Sequence, residues 1–387
     1  MREQSYRDTW AEISLDAIKH NTSHFKNYIN SNVKLMGVVK ADGYGHGAVP
    51  IAKAILAAGA DYLAVAILDE ALELRDAGIQ APILVLGFTP NRSIKDAIKA
   101  DVDLTVFSET MLNEIIFYAE QLRKSVCIHI KVDTGMSRIG VQTADEALRL
   151  AEIAKSSIYI RLKGLFTHFA RADDEDPTYT YTQYQKFQNV ISHLENHQIE
   201  IPLKHCCNSA GTMKFPEMHL DMVRVGISLY GLYPDQTLTS HSIPLQQAMT
   251  LKTTIVALKI VPAHRSISYG GTKIPTQATK IATLPIGYAD GLSRLLSNRG
   301  TFLLNGHKVV VAGRVCMDQT MIEIPDTLQC KEGDVVTIFG VNENAFLSVE
   351  EMARLMGTIN YEVVCQISKR VPRSYVRQDT MILYALT

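Results

Sequence analysis

Lys34–Gly47 reads KLMGVVKADGYGHG. Its apolar run Leu35-Met-Gly-Val-Val39 ends at Lys40, a glycine-rich stretch follows, and from Gly47 to Ala57 the apolar residues recur at helical spacing. Strand, loop and helix in that order are the repeating unit of a parallel sheet. Working outward, the same alternation recurs with candidate strands at Tyr62–Ala66, Ile83–Leu86, Leu104–Phe107, Val126–Val132, Ile160–Phe166, Leu203–Cys207 and Met222–Val225. Helical patterns between them include Leu68–Asp76, Glu109–Leu122, Ala144–Ala154 and Tyr181–Glu195. The fold class is α/β, and eight such strands close most naturally as an N-terminal (β/α)8 TIM-type barrel. A doubly wound sheet alternates in the same way and is the competing architecture.

After Pro234 the texture changes. Met249–Ile260, Lys280–Leu284, Val309–Ala312, Thr320–Ile324 and Asp334–Phe339 are strand-like, with Gly, Pro and Asn between them, which predicts a mostly β C-terminal domain. The expected division is residues 12–240 for the barrel and 241–387 for the β domain, with residues 1–11 packing on the latter. Pro234–Pro244 reads as the linker, and Trp10–Leu15 as a strand that precedes the barrel.

The chain has 387 residues, and 39 Lys+Arg against 40 Asp+Glu leave a net charge of -1. No global field favours nucleic acid or an anionic membrane, so partners must be selected by local sites. The six cysteines include no C-x-x-C pair, which argues against a disulfide framework or zinc knuckle and for a reducing compartment. The N-terminal residues lack an apolar signal region and no 18-residue apolar run follows, so a cytoplasmic location is expected.

Barrel active sites are built by the loops after the strands. Here those loops carry Lys40–Gly47, Lys131–Arg138, Thr167-His168, Asn208-Ser209 and Arg224–Ile227. An amine at Lys40, emerging from a barrel wall into a partly dehydrated cavity, suits a Schiff base; a strand-end lysine reaching to solvent is the alternative. Gly43-Tyr-Gly-His-Gly47 is G-x-G-x-G rather than the dinucleotide G-x-G-x-x-G, so a nicotinamide site is weakly indicated. Ser209 and Arg224–Ile227 occupy the region where many barrels hold a phosphate, although a glycine ending a strand also reads as a plain turn. Arg138 could take a substrate carboxylate or make a surface salt bridge. Lys131, Asp133, His168 and His205-Cys206-Cys207 lack recognised metal-ligand spacing, and the strand pattern buries alternate members, so no metal is expected.

Together these residues resemble alanine racemase of the pyridoxal-phosphate-dependent kind over essentially the whole chain. The shared phrases are VKADGYGHG at Val39–Gly47, VDTGM at Val132–Met136 leading into Ser137-Arg138, RVGI at Arg224–Ile227, SYG at Ser268–Gly270 and RVCMDQ at Arg314–Gln319. The resemblance implies that Lys40 holds pyridoxal 5'-phosphate, with Tyr44, Ser209, Gly226, Ile227 and Tyr361 around its phosphate and Arg224 facing the pyridine nitrogen. It implies two proton-transfer groups, Lys40 acting on D-alanine and Tyr269 on L-alanine, with His168 bonded to Arg224 or Tyr269. Arg138 would orient the substrate carboxylate, Met317 and Asp318 would line the substrate position, and Tyr288 would narrow the entrance. Tyr269 and Cys316–Asp318 would come from the other subunit of a homodimer. Lys131 matches a position that is carbamylated in some relatives. The product D-alanine would serve peptidoglycan synthesis. A broad-spectrum racemase shares this plan, whereas a non-catalytic carrier of the cofactor has no use for Tyr269, and a decarboxylase would replace Arg224 by a carboxylate.

Overall fold

The computed structural model describes residues 6–235, 237–238, 243–377 and 380–383. The chain packs as two units, one made of Ile18–Gly43 with Ala48–Gln246, the other of the chain up to Ala17, Tyr44–Gly47 and the chain from Gln247. Thus the strand-to-helix loop after Lys40 passes from one unit into the other and back.

The first unit holds eight parallel strands: β2 (Lys34–Val38), β3 (Tyr62–Val65), β4 (Ile83–Val85), β5 (Asp103–Val106), β6 (Val126–Lys131), β7 (Ile160–Phe166), β8 (Leu203–His205) and β9 (Met222–Val225). They pair in the order β8-β7-β6-β5-β4-β3-β2-β9. At the seam the Arg224 N–H donates to Cys207 O at 3.0 Å and the Asp221 N–H to Lys204 O at 3.1 Å, so the barrel is nearly closed. Every residue of β3, β4, β5 and β9 is buried, because helices cover the outside while side chains fill the inside. The same double cover buries His205, Cys206 and Cys207 together, where alternate burial was expected. Most ladders end one or two residues before the apolar runs do, since the last residues already turn into the loops. The expected helices are present at Ala48–Ala57, Leu68–Asp76, Glu109–Leu122, Ala144–Ser156 and Thr178–Asn196.

Among the described residues the second unit holds an 11-stranded sheet. Its strand β1 (Thr9–Ser14) pairs antiparallel with β10 (Met249–Thr254) and parallel with β18 (Arg373–Arg377), so the strand read as preceding the barrel belongs to this sheet. Alternating burial along β1 is the mark of such a half-covered strand. Met249–Ile260 is two strands rather than one: β10 pairs with β16 (Val335–Asn342), while β11 (Ala257–Val261) pairs with β12 (Thr279–Leu284). The short strands β13 (Thr301–Leu304), β17 (Ala345–Leu347), β18 and β19 (Thr380–Leu383) carry too little pattern to announce themselves. The expected linker Pro234–Pro244 lies partly outside the described residues. Among the described residues no helix is long and apolar enough to cross a membrane.

Asn21 illustrates how a buried polar group fixes chain course. It is fully buried on the helix Leu15–Tyr28; its amide donates to Leu229 O at 3.1 Å and Gln246 O at 2.8 Å, and its oxygen accepts the Gln246 N–H at 2.8 Å. Asn21→Leu strands all three backbone groups and is expected to lower stability by about 3 kcal/mol. Denaturant unfolding checks this, and a loss below about 1 kcal/mol would show that the three groups find other partners.

Candidate active site

Lys40 is half-buried where β2 ends. Behind it Ala41 (φ 52°), Asp42 (φ 53°), Gly43 (φ 58°) and Tyr44 (φ 51°) form a left-handed turn, although three of the four carry a Cβ. That conformation costs about 1–2 kcal/mol per such residue and needs support. Glu70 supplies part of it: one carboxylate oxygen accepts the Ala41 N–H at 2.6 Å, the other the Ala66 N–H at 2.7 Å. Asp42 Oδ1 accepts the Ala48 N–H at 2.8 Å, tying the turn to the next helix.

In the β unit the remainder of the loop is gripped from β18. Arg373 Nε donates to Gly45 O at 3.0 Å and the Tyr375 hydroxyl to His46 O at 3.0 Å. A Cβ on Gly45 would lie 2.2 Å from Val364 O at φ +77°, so only glycine fits there. Tyr44 is buried, with its ring 6.2 Å from that of Tyr361.

At the barrel seam the Gly226 N–H donates to Ser209 Oγ at 3.0 Å, which leaves the Ser209 hydroxyl hydrogen to donate elsewhere. Ile227–Tyr230 is a short helical turn whose first N–H groups have no partner within it. Within that turn the Ser228 hydroxyl is buried and has no hydrogen-bond partner among the described residues. The Tyr230 hydroxyl donates to Val38 O at 3.0 Å, fixing the turn against the end of β2. Such a donor set suits a phosphate.

Arg224 is 3% exposed, and no carboxylate lies within ion-pair distance of it among the described residues. Nη1 donates to His205 Nδ1 at 2.9 Å and His205 O at 3.1 Å, and Nη2 to Thr167 O at 2.8 Å, Cys206 O at 3.1 Å and His168 Nδ1 at 3.2 Å. The Nε–H is the donor that no protein atom takes among the described residues. Burial pushes the guanidinium down to about 10, still fully protonated at neutral pH, so this group can only donate. Burial and then Arg224 hold His205 and His168 well below the usual histidine range, and both are neutral.

Lys131 is buried with Nζ 4.4 Å from the centre of the Phe166 ring. Burial, then the charges of Arg224 and Arg138, push its amine down to about 7. Arg138 is exposed on the loop that follows, which Asp133 organises by accepting the N–H groups of Gly135 at 2.9 Å and Ser137 at 3.0 Å.

The β unit gathers three motif segments. The Ser268 hydroxyl donates to Arg314 O at 2.6 Å, and the Tyr288 and Ala289 N–H groups donate to Cys316 O and Met317 O, each at 3.0 Å. Arg370 Nη2 holds Asp318 at 2.7 Å. The side chains of Tyr269 (70%), Met317 (52%) and Tyr288 (43%) are left exposed.

Sequence reasoning passed over Glu70, whose only signal is a carboxylate three residues into the helix after β3. It also passed over Phe166, and it considered His205 only as a metal ligand; the ring of His205 stacks on Phe166 with centroids 4.9 Å apart.

Residues 13–234 match the family model "Alanine racemase, N-terminal domain" and residues 248–375 the model "Alanine racemase, C-terminal domain". "Alanine racemase 2" of Oceanobacillus iheyensis is 53% identical over 384 residues, which is 99% of this chain and 97% of that protein. The alanine racemase structure from Bacillus anthracis with bound L-Ala-P superposes with a TM-score of 0.93 at 40% identity, covering 98% of this chain and 97% of that one. A structure of alanine racemase from Clostridium difficile 630 gives 0.94 at 42% identity, with 98% of each chain covered. With both family models spanning nearly the whole chain and these relatives matching it end to end, the chain belongs to the alanine racemase family.

Proposed function

We propose that the chain interconverts L-alanine and D-alanine with pyridoxal 5'-phosphate as cofactor, on active sites shared between two copies of the chain, in the cytoplasm. The observation that carries the cofactor reading is the donor set at Arg224: a buried cation with one uncommitted N–H suits an unprotonated ring nitrogen, and the Ser209, Ile227 and Ser228 donors suit its phosphate. When bound, this cofactor supplies an electron sink for the bonding pair of the α-C–H bond. Lys40 holds it through its amine, and Tyr44, Gly226 and Tyr361 complete the phosphate surroundings. Arg224 has no proton to yield, so a ring nitrogen held against it would remain unprotonated and would serve as a weaker electron sink, which would restrain side reactions.

Racemisation requires a proton to leave one face of the α-carbon and another to arrive on the opposite face. Lys40 Nζ serves the D-alanine face and the Tyr269 hydroxyl the L-alanine face. Arg138 and the Met317 backbone amide hold the carboxylate beside Asp318, Tyr288 narrows the entrance, and His168 steadies Arg224. Exposure of Tyr269 and Met317 on the β unit supports their service to the site of a second copy. Lys131, neutral in part near pH 7, is in the form that adds carbon dioxide, and the resulting carbamate would face Arg138 and Arg224 as an anion.

Incubation with L-alanine in D₂O is expected to bring optical rotation to zero while deuterium replaces the α-proton; persistent rotation overturns the reading. Tyr269→Phe should keep the cofactor and lose about 10²–10⁴-fold in racemisation rate, and an unchanged rate removes Tyr269 from the chemistry. Mixing inactive Lys40→Ala and Tyr269→Phe proteins should restore about a quarter of the activity, because half of the sites in mixed dimers are intact. No recovery would place both groups in one chain. Labelling with ¹³C-bicarbonate should give a carbamate resonance that Lys131→Met abolishes, and its absence from the unmodified protein refutes carbamylation.

A further inference from the structure

The barrel interior carries a line of polar side chains that the proposed chemistry does not use. It starts near the N-terminal ends of the strands, where Lys163 Nζ sits 2.9 Å from Asp103 Oδ2 and 4.8 Å from the centre of the Tyr62 ring. The same Asp103 oxygen lies 3.5 Å from His129 Nε2, close enough for a charge–dipole attraction, although Nε2 makes no hydrogen bond with any described residue. His129 Nδ1 is 3.1 Å from His205 Nε2, and His205 Nδ1 is 2.9 Å from Arg224 Nη1. His129 and His205 are fully buried and Asp103 is 6% exposed.

Proton counting makes this line directional. Arg224 can only donate, so His205 Nδ1 carries a lone pair and the neutral ring carries its hydrogen on Nε2. That hydrogen points at His129 Nδ1, which must accept, so His129 also carries its hydrogen on Nε2. This nitrogen faces Asp103, a carboxylate that can only accept. The donor-only group at one end sets the tautomer of both histidines through the two hydrogen bonds, and the negative charge of Asp103 at the other end favours the same choice. Neither ring can take a second proton without setting two donors against each other. Burial lowers the affinity of both rings for that proton, most strongly for His205, which also faces Arg224.

The backbone is shaped for this line. The pairing of β6 with β7 slips between Ile128 and His129, so that Gly164 lies opposite His129. A Cβ at Gly164 would fall 2.0 Å from His129 Nδ1, so the missing side chain is the space the ring occupies. Lys163, at the slip, meets Tyr62 and Asp103, residues of strands β3 and β5.

We propose that Asp103, His129 and Lys163 are positioning residues, which act through His205 to hold Arg224 in one orientation with its Nε–H directed out of the network. This deepens the proposed function and rests on that reading for the role of Arg224. Asp103 draws on His129, His129 on His205, and His205 Nδ1 becomes a stronger acceptor for the guanidinium. The negative charge stays at the far end, balanced by Lys163, so no carboxylate stands beside Arg224 to compete for its donors.

The test is the ¹⁵N histidine spectrum of the full-length protein loaded with pyridoxal phosphate, together with steady-state racemisation of alanine. Both histidines should be neutral and protonated at Nε2 alone; a charged ring, or a hydrogen on Nδ1 of either, overturns the proposal. Asp103→Leu with Lys163→Met removes both charges at once and strands neither. It should shift and broaden the His205 Nε2–H resonance and lower kcat by about tenfold, the size expected when a hydrogen bond to a charged group loses its alignment, with KM and thermal midpoint unchanged. An unmoved His205 resonance with kcat within about twofold of the parent would show that the pair only fills the barrel. Asp103→Asn, which keeps the shape, should shift the resonance in the same direction by less, and decides the matter if the double variant does not fold. A protein that takes up no pyridoxal phosphate overturns the cofactor reading, while its histidine spectrum still decides the orientation of the line.

Discussion

A cation enclosed in a barrel wall without a carboxylate beside it sets the terms for the rest of the site. Arg224 retains its charge because five neutral acceptors surround it, three of them backbone carbonyls at the ends of β7 and β8 and two of them neutral histidine nitrogens. Neutral acceptors stabilise a guanidinium without quenching it, so its remaining N–H is offered outward with full donor strength. A carboxylate in the same place would pair with the cation and, as an acceptor, would favour a protonated ring nitrogen. The chemistry therefore depends on where the negative charges are absent as much as on which groups are present.

The second constraint is the left-handed turn after Lys40. Three residues with side chains stand at positive φ; Glu70 and Asp42 brace the turn within the barrel unit, and within the β unit Arg373 and Tyr375 hold the carbonyls of Gly45 and His46 that follow. A turn of this kind is not stable alone, and its persistence reflects over-determination from several directions. It lets the chain leave β2 abruptly, so that Lys40 stands at the end of the strand rather than on the first turn of a helix. Tyr44 then falls in a different packing unit from Lys40, four residues away.

The β unit solves a different problem, that of presenting side chains. Ser268, Tyr288 and Met317 belong to three separated segments, which the Ser268 hydroxyl and two backbone hydrogen bonds tie together, while Arg370 anchors Asp318 beside Met317. Hydrogen-bonded segments that leave Tyr269, Tyr288 and Met317 exposed lose less conformational entropy on meeting a second molecule than free loops would, which is the physical basis of the proposed shared site.

How much of this was legible in the sequence follows from the range of each interaction. The alternation of apolar runs with helical stretches is local, so the eight strands and the barrel were readable, as were the positions of Lys40, Arg224 and Ser209 at or beside strand ends. The β strands that pair with sequence-distant neighbours were read less well: Met249–Ile260 conceals a break, and β1 joins a sheet whose other members begin more than 230 residues later. Motif phrases carry the resemblance on which the proposed site residues rest, since each phrase is contiguous. The chain alone could not show that His205 receives Arg224, that Glu70 supports Ala41, or that Gly164 makes room for His129. Those contacts join residues 19, 29 and 35 positions apart, and only the packing of strands, helix and turn in three dimensions brings them together. Sequence determined the residue types and the fold that carries them; tertiary structure decided which donors meet which acceptors, because proton direction is settled by proximity in space.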